Sequence, residues 1–267
     1  LLLSFSKYQG AGNDFILIDD RSLRFPADDS SLIQKLCSLR FGIGADGIVL
    51  LRSSTLADFR MRIYNLDGTE ASFCGNGLRC LALYIEHLGL KGNAFSVETE
   101  SFVVPCTVFR DKVSIKLPFP KTLCWGGKFE GDLAPYEFFV VDSGVPHAVI
   151  FVEDLETYPV QELGKAIRFH SVWAPSGVNV NFIKVMPDGA VRIRTYERGV
   201  EGETLSCGSG AAAAAFVVSQ QKGSFKPLRV TPKSGEHFEF SFQQTSLGRH
   251  LLMQGPASLV FEGKMEI

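Results

Sequence analysis

Short apolar runs, separated by polar and glycine-rich stretches, set out the elements of this chain twice over. Residues 15–18 and 48–51 are apolar runs that stop at Asp19 and Arg52, and both predict strands. Between them Leu32, Ile33, Leu36 and Leu39 recur at helical spacing behind Asp29-Ser30-Ser31, so a capped helix is expected over 32–39. Residues 61–64 alternate as a strand does. A glycine-rich turn follows, then a helix over 78–88 stopped by Gly89. Val97, 103–108 and 113–117 read as further strands.

The second half repeats the plan. Residues 138–141 and 148–152 predict strands, 160–167 a helix, and 178–185 and 190–196 strands that lead into a second glycine-rich turn. The helix expected next, 211–218, carries no charge. A helix apolar all round is buried all round, so it should run through the middle of its domain with sheet wrapped about it. Its counterpart over 78–88 contains Arg79 and Glu86, which predict more polar surroundings. Residues 118–135, rich in Pro, Gly and Lys, read as a linker. The closing stretch 258–267 is strand-like and is expected to cross back to the first domain.

The repetition extends to individual residues. Cys74-Gly75-Asn76-Gly77 and Cys207-Gly208-Ser209-Gly210 lie 133 positions apart. Tyr64 precedes the first cysteine by ten positions and Tyr196 the second by eleven, while residues 12–18 find an echo in 144–150 at an offset of 132. The offset therefore grows by one, near Glu201. The period is far above the roughly 20–50 residues of a solenoid unit. Two homologous domains are expected instead, at 1–120 and 121–257.

Composition narrows the class. Of 267 residues, 45% are apolar and 21% charged, and the net charge is −2 with both signs intermixed. That fits ordinary globular cores and offers no basic tract for nucleic acid. The opening Leu1-Leu2-Leu3 is too short for a signal sequence, and no run approaches the roughly 20 apolar residues of a membrane span, so a cytoplasmic location is expected. Six cysteines in a chain of this length make neither a disulfide scaffold nor a zinc site. Cys37, Cys80, Cys106 and Cys124 read as packing residues, since free cysteine behaves as a small buried hydrophobe.

Cys74 and Cys207 are different, because each opens a helix behind a strand. A helix N-terminus lowers a thiol's pKa, and its first N–H groups are ready to hold a carboxylate. Glycine after each cysteine is expected to let the backbone approach a ligand closely. Two such helix ends facing one another could share a carboxylate, with a thiol on either side of its α-carbon. One thiolate would remove the α-proton and the opposite thiol return one, inverting the centre. A cysteine hydrolase using His147 would leave one cysteine idle. Neither turn has a P-loop lysine or a dinucleotide-binding glycine pattern, and a pure binding module would not need the sulfur.

The motifs closely resemble those of diaminopimelate epimerases. They are Gly10-Ala11-Gly12-Asn13-Asp14-Phe15, residues 41–46, Asn65-Leu66-Asp67-Gly68, residues 74–80, Pro146-His147, Val178-Asn179-Val180, Tyr196-Glu197-Arg198-Gly199, and residues 202–210. The resemblance covers nearly the whole chain. It implies an α/β (α+β) fold of two homologous domains, each a curled mixed β-sheet around a central helix, with the active site in the cleft between them. It implies a cofactor-independent, metal-free isomerase interconverting LL- and meso-diaminopimelate, a small-molecule substrate, for lysine and peptidoglycan precursor synthesis. A homodimer is the assembly it allows.

By the same resemblance Cys74 and Cys207 are the bases, supported by His147 and Glu197. The backbone of Gly75, Asn76, Gly208 and Ser209 holds the reacting carboxylate. Asn13, Asn65 and Asn179 bond the substrate, Glu197 meets an ammonium, and Arg198 grips the second carboxylate, for which a guanidinium fork is suited. The chain departs from the family's pattern at Gly47, where Gln is usual, at Val145, where Asn is usual, and in the extra residue near Glu201. The first two remove polar groups and leave substrate selectivity open. The alternatives are a two-cysteine racemase of glutamate or proline, or a non-catalytic amino-acid-binding descendant. His87, His170, His237 and His250 have no motif around them.

Overall fold

The computed structural model describes residues 2–110, 112–129, 136–246 and 248–267. The chain divides into two compact units, one comprising Leu1–Lys116 with Gln254–Ile267, the other Leu117–Met253. In chain order the first contains β1 (Leu2–Gly10), β2 (Asn13–Asp19), α1 (Ser30–Cys37), β3 (Gly47–Arg52), β4 (Phe59–Asn65), β5 (Glu70–Ala71), α2 (Gly75–His87), β6 (Ala94–Glu98), β7 (Val103–Phe109) and β8 (Lys112–Pro118). Then come β9 (Lys121–Lys128), β10 (Glu137–Asp142), β11 (Pro146–Phe151), α3 (Val160–Arg168), β12 (Asn179–Val185), β13 (Val191–Glu197), β14 (Gly202–Thr204), α4 (Gly208–Gln221), β15 (Leu228–Thr231), β16 (Phe238–Thr245) and β17 (Gly248–Pro256). The last strand, β18 (Ser258–Glu266), belongs with the first unit.

The duplication holds at the level of strand register. Phe15 faces Gly47 across the parallel β2–β3 pair, and His147 faces Asn179 across β11–β12. Ile48 faces Tyr64, and Val180 faces Tyr196, in the antiparallel pairs that follow. Tyr64 pairs with Glu70 and Tyr196 with Glu203, so the extra residue falls in the second unit's hairpin. There Glu201 adopts φ 54 and its carboxylate meets Arg168 at 3.0 Å, a local account of the insertion. In both units the hairpin entering the cysteine turn is pinned by a two-pronged bridge: Arg62 to Glu70 at 2.7 and 2.6 Å, Arg194 to Glu203 at 2.6 and 2.9 Å. The pairing of β18 with β1, Leu2 opposite Glu266, corresponds to that of β9 with β10.

Each sheet packs a helix on both faces. On one side α1 buries Ile33 and Leu36 against Ile16, Ile48 and Tyr64, as α3 buries Val160 and Ile167 against Ala148, Val180 and Tyr196. The Asp29 side chain caps α1 by accepting from the Leu32 N–H at 3.0 Å. That helix stops at Cys37, before the expected Leu39, which is 87% exposed. On the other side run the central helices: α2 against β1–β4, β7 and β18, and α4 against β10–β13, β15 and β16. Every residue of α4 from Gly210 to Ser219 is buried, as its uncharged sequence predicts. Gly89 (φ 64) and Gly223 (φ 58) end these helices, and Leu90 and Ser224 donate back to Ile85 and Ser219 to satisfy late carbonyls.

One expectation is corrected. Within the expected linker 118–135, residues 121–128 form β9, which pairs with β10, while 130–135 lie outside the described residues. Arg79 finds its polar surroundings inside the protein, being 0% exposed and donating to the Gly75 and Pro256 carbonyls and to Asn76 Oδ1.

Candidate active site

In the first unit Cys74 is the extended residue (φ −147°, ψ 115°) from which α2 starts, half-buried, with its Sγ accepting from the Gly77 N–H at 3.5 Å. The first-turn N–H groups of Gly75 and Asn76 have no intrahelical acceptor and project at the positive end of the dipole. Asn13 reaches this end from β2. Its Oδ1 accepts from Asn76 Nδ2 at 3.2 Å and lies 3.9 Å from Cys74 Sγ. Asn13 is itself held: Nδ2 donates to Asp46 Oδ2 at 2.6 Å. Asp46 is fixed through its own N–H on Asp14 Oδ1 at 2.9 Å, and buried Lys7 closes the chain on Asp14 at 2.7 Å.

The second unit builds its helix end differently. Cys207 (φ −123°, ψ 107°) precedes α4, 7% exposed, with Sγ 3.5 Å from Ser209 Oγ. Ser209 Oγ is in turn 2.9 Å from His147 Nε2. Asn181 donates through Nδ2 to the Ala148 carbonyl at 2.9 Å and meets His147 Nδ1 at 3.1 Å. That geometry makes Nδ1 an acceptor and puts the imidazole proton on Nε2, directed at Ser209. Complete burial, and secondarily the Arg198 charge, pull the His147 pKa down to about 3. His147 is therefore a neutral, fully bonded core residue whose Nε2 meets Ser209 Oγ, which in turn lies beside Cys207 Sγ. It is not the direct partner that a Cys–His hydrolase needs.

The remaining expected residues stand as follows. Asn65 is exposed and donates to Thr69 Oγ1 at 3.0 Å. Asn179 is buried, donates to the Pro146 carbonyl at 3.2 Å and accepts from the Arg198 N–H at 2.8 Å, so it joins two site loops within its unit. The Arg198 guanidinium donates to the Ser176 carbonyl at 3.2 Å, and Glu197 accepts from Thr204 Oγ1 at 3.0 Å. Both are half-buried at the end of β13. Among the described residues no three His, Cys, Asp or Glu side chains converge as metal ligands.

The glycine that the fold itself confines in each turn is the second one. A Cβ at Gly75 would meet nothing nearer than Ile115 at 3.8 Å, whereas at Gly77 it would lie 2.8 Å from Ile63 Cδ1 and at Gly210 2.3 Å from Asn181 Oδ1. The second glycine of each motif is what lets the helix seat on its sheet. Gly47 is equally confined, since a Cβ there would lie 2.3 Å from the Tyr64 carbonyl oxygen. Gly47→Gln is therefore expected to destabilise the fold by about 1–3 kcal/mol, beyond any substrate contact it adds. Urea denaturation of the variant beside the parent checks this, and an unchanged midpoint counts against it.

The other cysteines behave as packing residues, and all six are free. Burial pushes the Cys37 thiol up to about 11 and those of Cys80 and Cys106 up to about 12, keeping them protonated and inert. Sequence reasoning missed Asn181, Thr195 and Arg79. Thr195 donates to Asn181 Oδ1 at 3.0 Å and completes the bonding that fixes the His147 tautomer. The available signal was polar residues inside otherwise apolar strands and helices, since a buried polar side chain has to be hydrogen-bonded.

Comparisons with known proteins accord with this architecture. A family model described as Diaminopimelate epimerase matches residues 5–117 and 139–260. The diaminopimelate epimerase of Aquifex aeolicus is 37% identical, over 98% of this chain and 98% of that protein. That of Methanothrix thermoacetophila is 41% identical, over 98% and 95%. Among solved structures, a Bacillus anthracis phenazine biosynthesis protein of the PhzF family superposes with a TM-score of 0.79 at 15% identity, covering 100% of both chains. A hydroxyproline epimerase from Agrobacterium vitis gives 0.72 at 15%, covering 99% of this chain and 92% of that one. At those identities the likeness is one of fold.

Proposed function

The chain belongs to the diaminopimelate epimerase family, and we propose that it interconverts LL- and meso-diaminopimelate by passing the α-proton between Cys74 and Cys207. One observation carries the reading: each unit starts its buried central helix with a cysteine and a Gly-x-Gly turn, and each cysteine has its own polar support. In the proposed reaction one thiolate takes the α-proton, and the electron pair left on carbon spreads into the carboxylate. The other thiol then protonates the opposite face, so a thiolate is regenerated and no cofactor is called upon. N–H groups of Gly75, Asn76, Gly208 and Ser209 would hold the carboxylate as it gains charge, the preorganised stabilisation that lowers such barriers most. Asn13, Asn65 and Asn179 would supply substrate hydrogen bonds, Glu197 would meet an ammonium and Arg198 the distal carboxylate.

The reading extends to lysine and peptidoglycan precursor synthesis by a cytoplasmic homodimer. Among the described residues no helix is long and apolar enough to cross a membrane. The test is turnover of LL-diaminopimelate in deuterium oxide. Deuterium is expected at the inverted α-carbon of the meso product, and its absence with reduced enzyme in excess would overturn the proposal. L-Glutamate in the same assay is expected to exchange weakly, because Gly47 and Val145 remove two polar groups that would reject a shorter diacid. Failure of that arm alone means selectivity is not relaxed in this direction.

A further inference from the structure

The same places beneath the two central helices are filled by different chemistry. At the repeat's offset of 132, His147, Asn181 and Thr195 correspond to Phe15, Val49 and Ile63. The registers agree: His147 faces Asn179 as Phe15 faces Gly47, and Asn181 faces Thr195 as Val49 faces Ile63. Both trios lie under the second glycine of a cysteine turn. A Cβ at Gly77 would meet Ile63, Val49 and Phe15, and one at Gly210 would meet Asn181. All six side chains are buried. The first unit thus seats its helix on an apolar trio, whereas three polar side chains in that place cost free energy unless each is bonded.

The polar trio is bonded in one direction. The Ala148 carbonyl can only accept, so the Asn181 amide turns Nδ2 to it at 2.9 Å and to His147 Nδ1 at 3.1 Å, while Oδ1 accepts from the Thr195 hydroxyl at 3.0 Å. With Nδ1 accepting, the neutral ring carries its proton on Nε2 and donates it to Ser209 Oγ at 2.9 Å. That bond leaves the single hydroxyl hydrogen of Ser209 free, and Cys207 Sγ lies 3.5 Å away. In the opposite tautomer a bare Nε2 would take this hydrogen, and Ser209 could only accept from the thiol. Burial, with the Arg198 charge second, pulls the His147 pKa down to about 3, so the ring stays neutral across ordinary pH.

We propose that Asn181 and Thr195 are positioning residues: by holding the His147 proton on Nε2 they turn the Ser209 hydroxyl onto Cys207 Sγ and stabilise its thiolate. A hydrogen bond donated to the charged form of a group favours that form. The proposal rests on the reading of Cys207 as one of the two bases, but its test does not depend on turnover. On the sheet face opposite α3, β10 to β13 bring Val141, His147, Asn181 and Thr195 to α4, with Glu197 closing β13 and Arg198 after it. Asp142, closing β10, accepts from the Gly144 N–H. Arg229 on β15 and Glu239 on β16 line a pocket with Lys222 at the other end of α4. These charges are common to every variant below, so they set the absolute midpoint for Cys207 and not its shift.

The ligand-free protein is alkylated with iodoacetamide across a range of pH; the thiolate sulfur displaces iodide, and the Cys207 and Cys74 peptides are followed separately by mass spectrometry. Ser209→Ala is expected to raise the Cys207 midpoint by about one pH unit or more, a tenfold loss of thiolate at low pH, and Ser209→Thr, which keeps the hydroxyl, to raise it less. Giving the second unit the first unit's side chains, His147→Phe with Asn181→Val and Thr195→Ile, should raise it likewise while the Cys74 midpoint stays in place. In the parent labelled with nitrogen isotope at histidine, the His147 ring is expected to show a protonated Nε2 and a bare Nδ1, its signals identified by their loss in His147→Gln. A proton on Nδ1, an unmoved Cys207 midpoint in either folded variant, or equal movement of both midpoints overturns the proposal. If the triple variant does not fold, the parent's tautomer and Ser209→Ala decide. Deuterium exchange failing while these shifts appear sinks the proposed reaction and leaves the role of Asn181 and Thr195 standing.

Discussion

Cys74→Ala and Cys207→Ala are each expected to lower epimerisation of diaminopimelate by about 10³-fold or more, the upper part of the range for removal of a positioned acid or base. Neither change should unfold the protein. Cys207 makes no side-chain cap to α4, and the Gly77 N–H sits at 3.5 Å from Cys74 Sγ, so loss of the cap costs no more than about 1 kcal/mol. Thermal melts should therefore stay close to the parent while activity disappears. The diagnostic is one-sided chemistry: each variant keeps one thiol and should still wash deuterium into the stereoisomer that this thiol deprotonates, without inverting it. A variant that epimerises both stereoisomers at near-parental rate would exclude the two-thiol mechanism.

Gly210→Ala is expected to be nearly as damaging by a different route. Its Cβ would lie 2.3 Å from Asn181 Oδ1, and Asn181 cannot give way, because it is bonded to His147, the Ala148 carbonyl and Thr195. Overpacking of this kind costs about 1–3 kcal/mol, roughly 2–4 °C in Tm per kcal/mol for a unit of this size. Lifting α4 would also separate Ser209 from His147 and leave Cys207 without its support, so kcat should fall along with Tm. Gly77→Ala provides the contrast. There the obstacle is the tip of Ile63, which can rotate, so a smaller drop is expected. Melting curves and kinetics of the two variants side by side check the ordering, and equal losses would contradict it.

What could be read from the residues follows from how local each signal is. Strands β2 and β3 are continuous apolar runs with charged ends, and α4 announces its burial by having no charge at all. Both cysteines were legible because the motif recurs at the repeat's offset. Strand β9 was not legible, because Lys-Thr-Leu-Cys-Trp-Gly-Gly-Lys has no alternation and is a strand only through its pairing with β10. Leu39 fits the helical period, yet α1 has already ended, and the Gly42 N–H turns back to the Ser38 carbonyl. The burial of Arg79 was not legible for the same reason in reverse: a charge suggests water, whereas this one donates to the distant Pro256 carbonyl as well as to Gly75 and Asn76. The path from Cys207 through Ser209 to His147 and Asn181 runs over α4, β11 and β12, and no spacing in the sequence encodes it.

The place of β18 bears on the order in which the protein can be made. The second unit draws its elements from one continuous stretch, whereas the first closes its sheet with residues 258–266 laid against β1. As the chain leaves the ribosome, the early half has its helices and most of its sheet long before that closing strand exists. Until then the β1 backbone carries a row of unpaired donors and acceptors, the kind of edge that other nascent chains can adopt. The later half can be complete first, so during synthesis the N-terminal unit is the one whose sheet edge stays open longest.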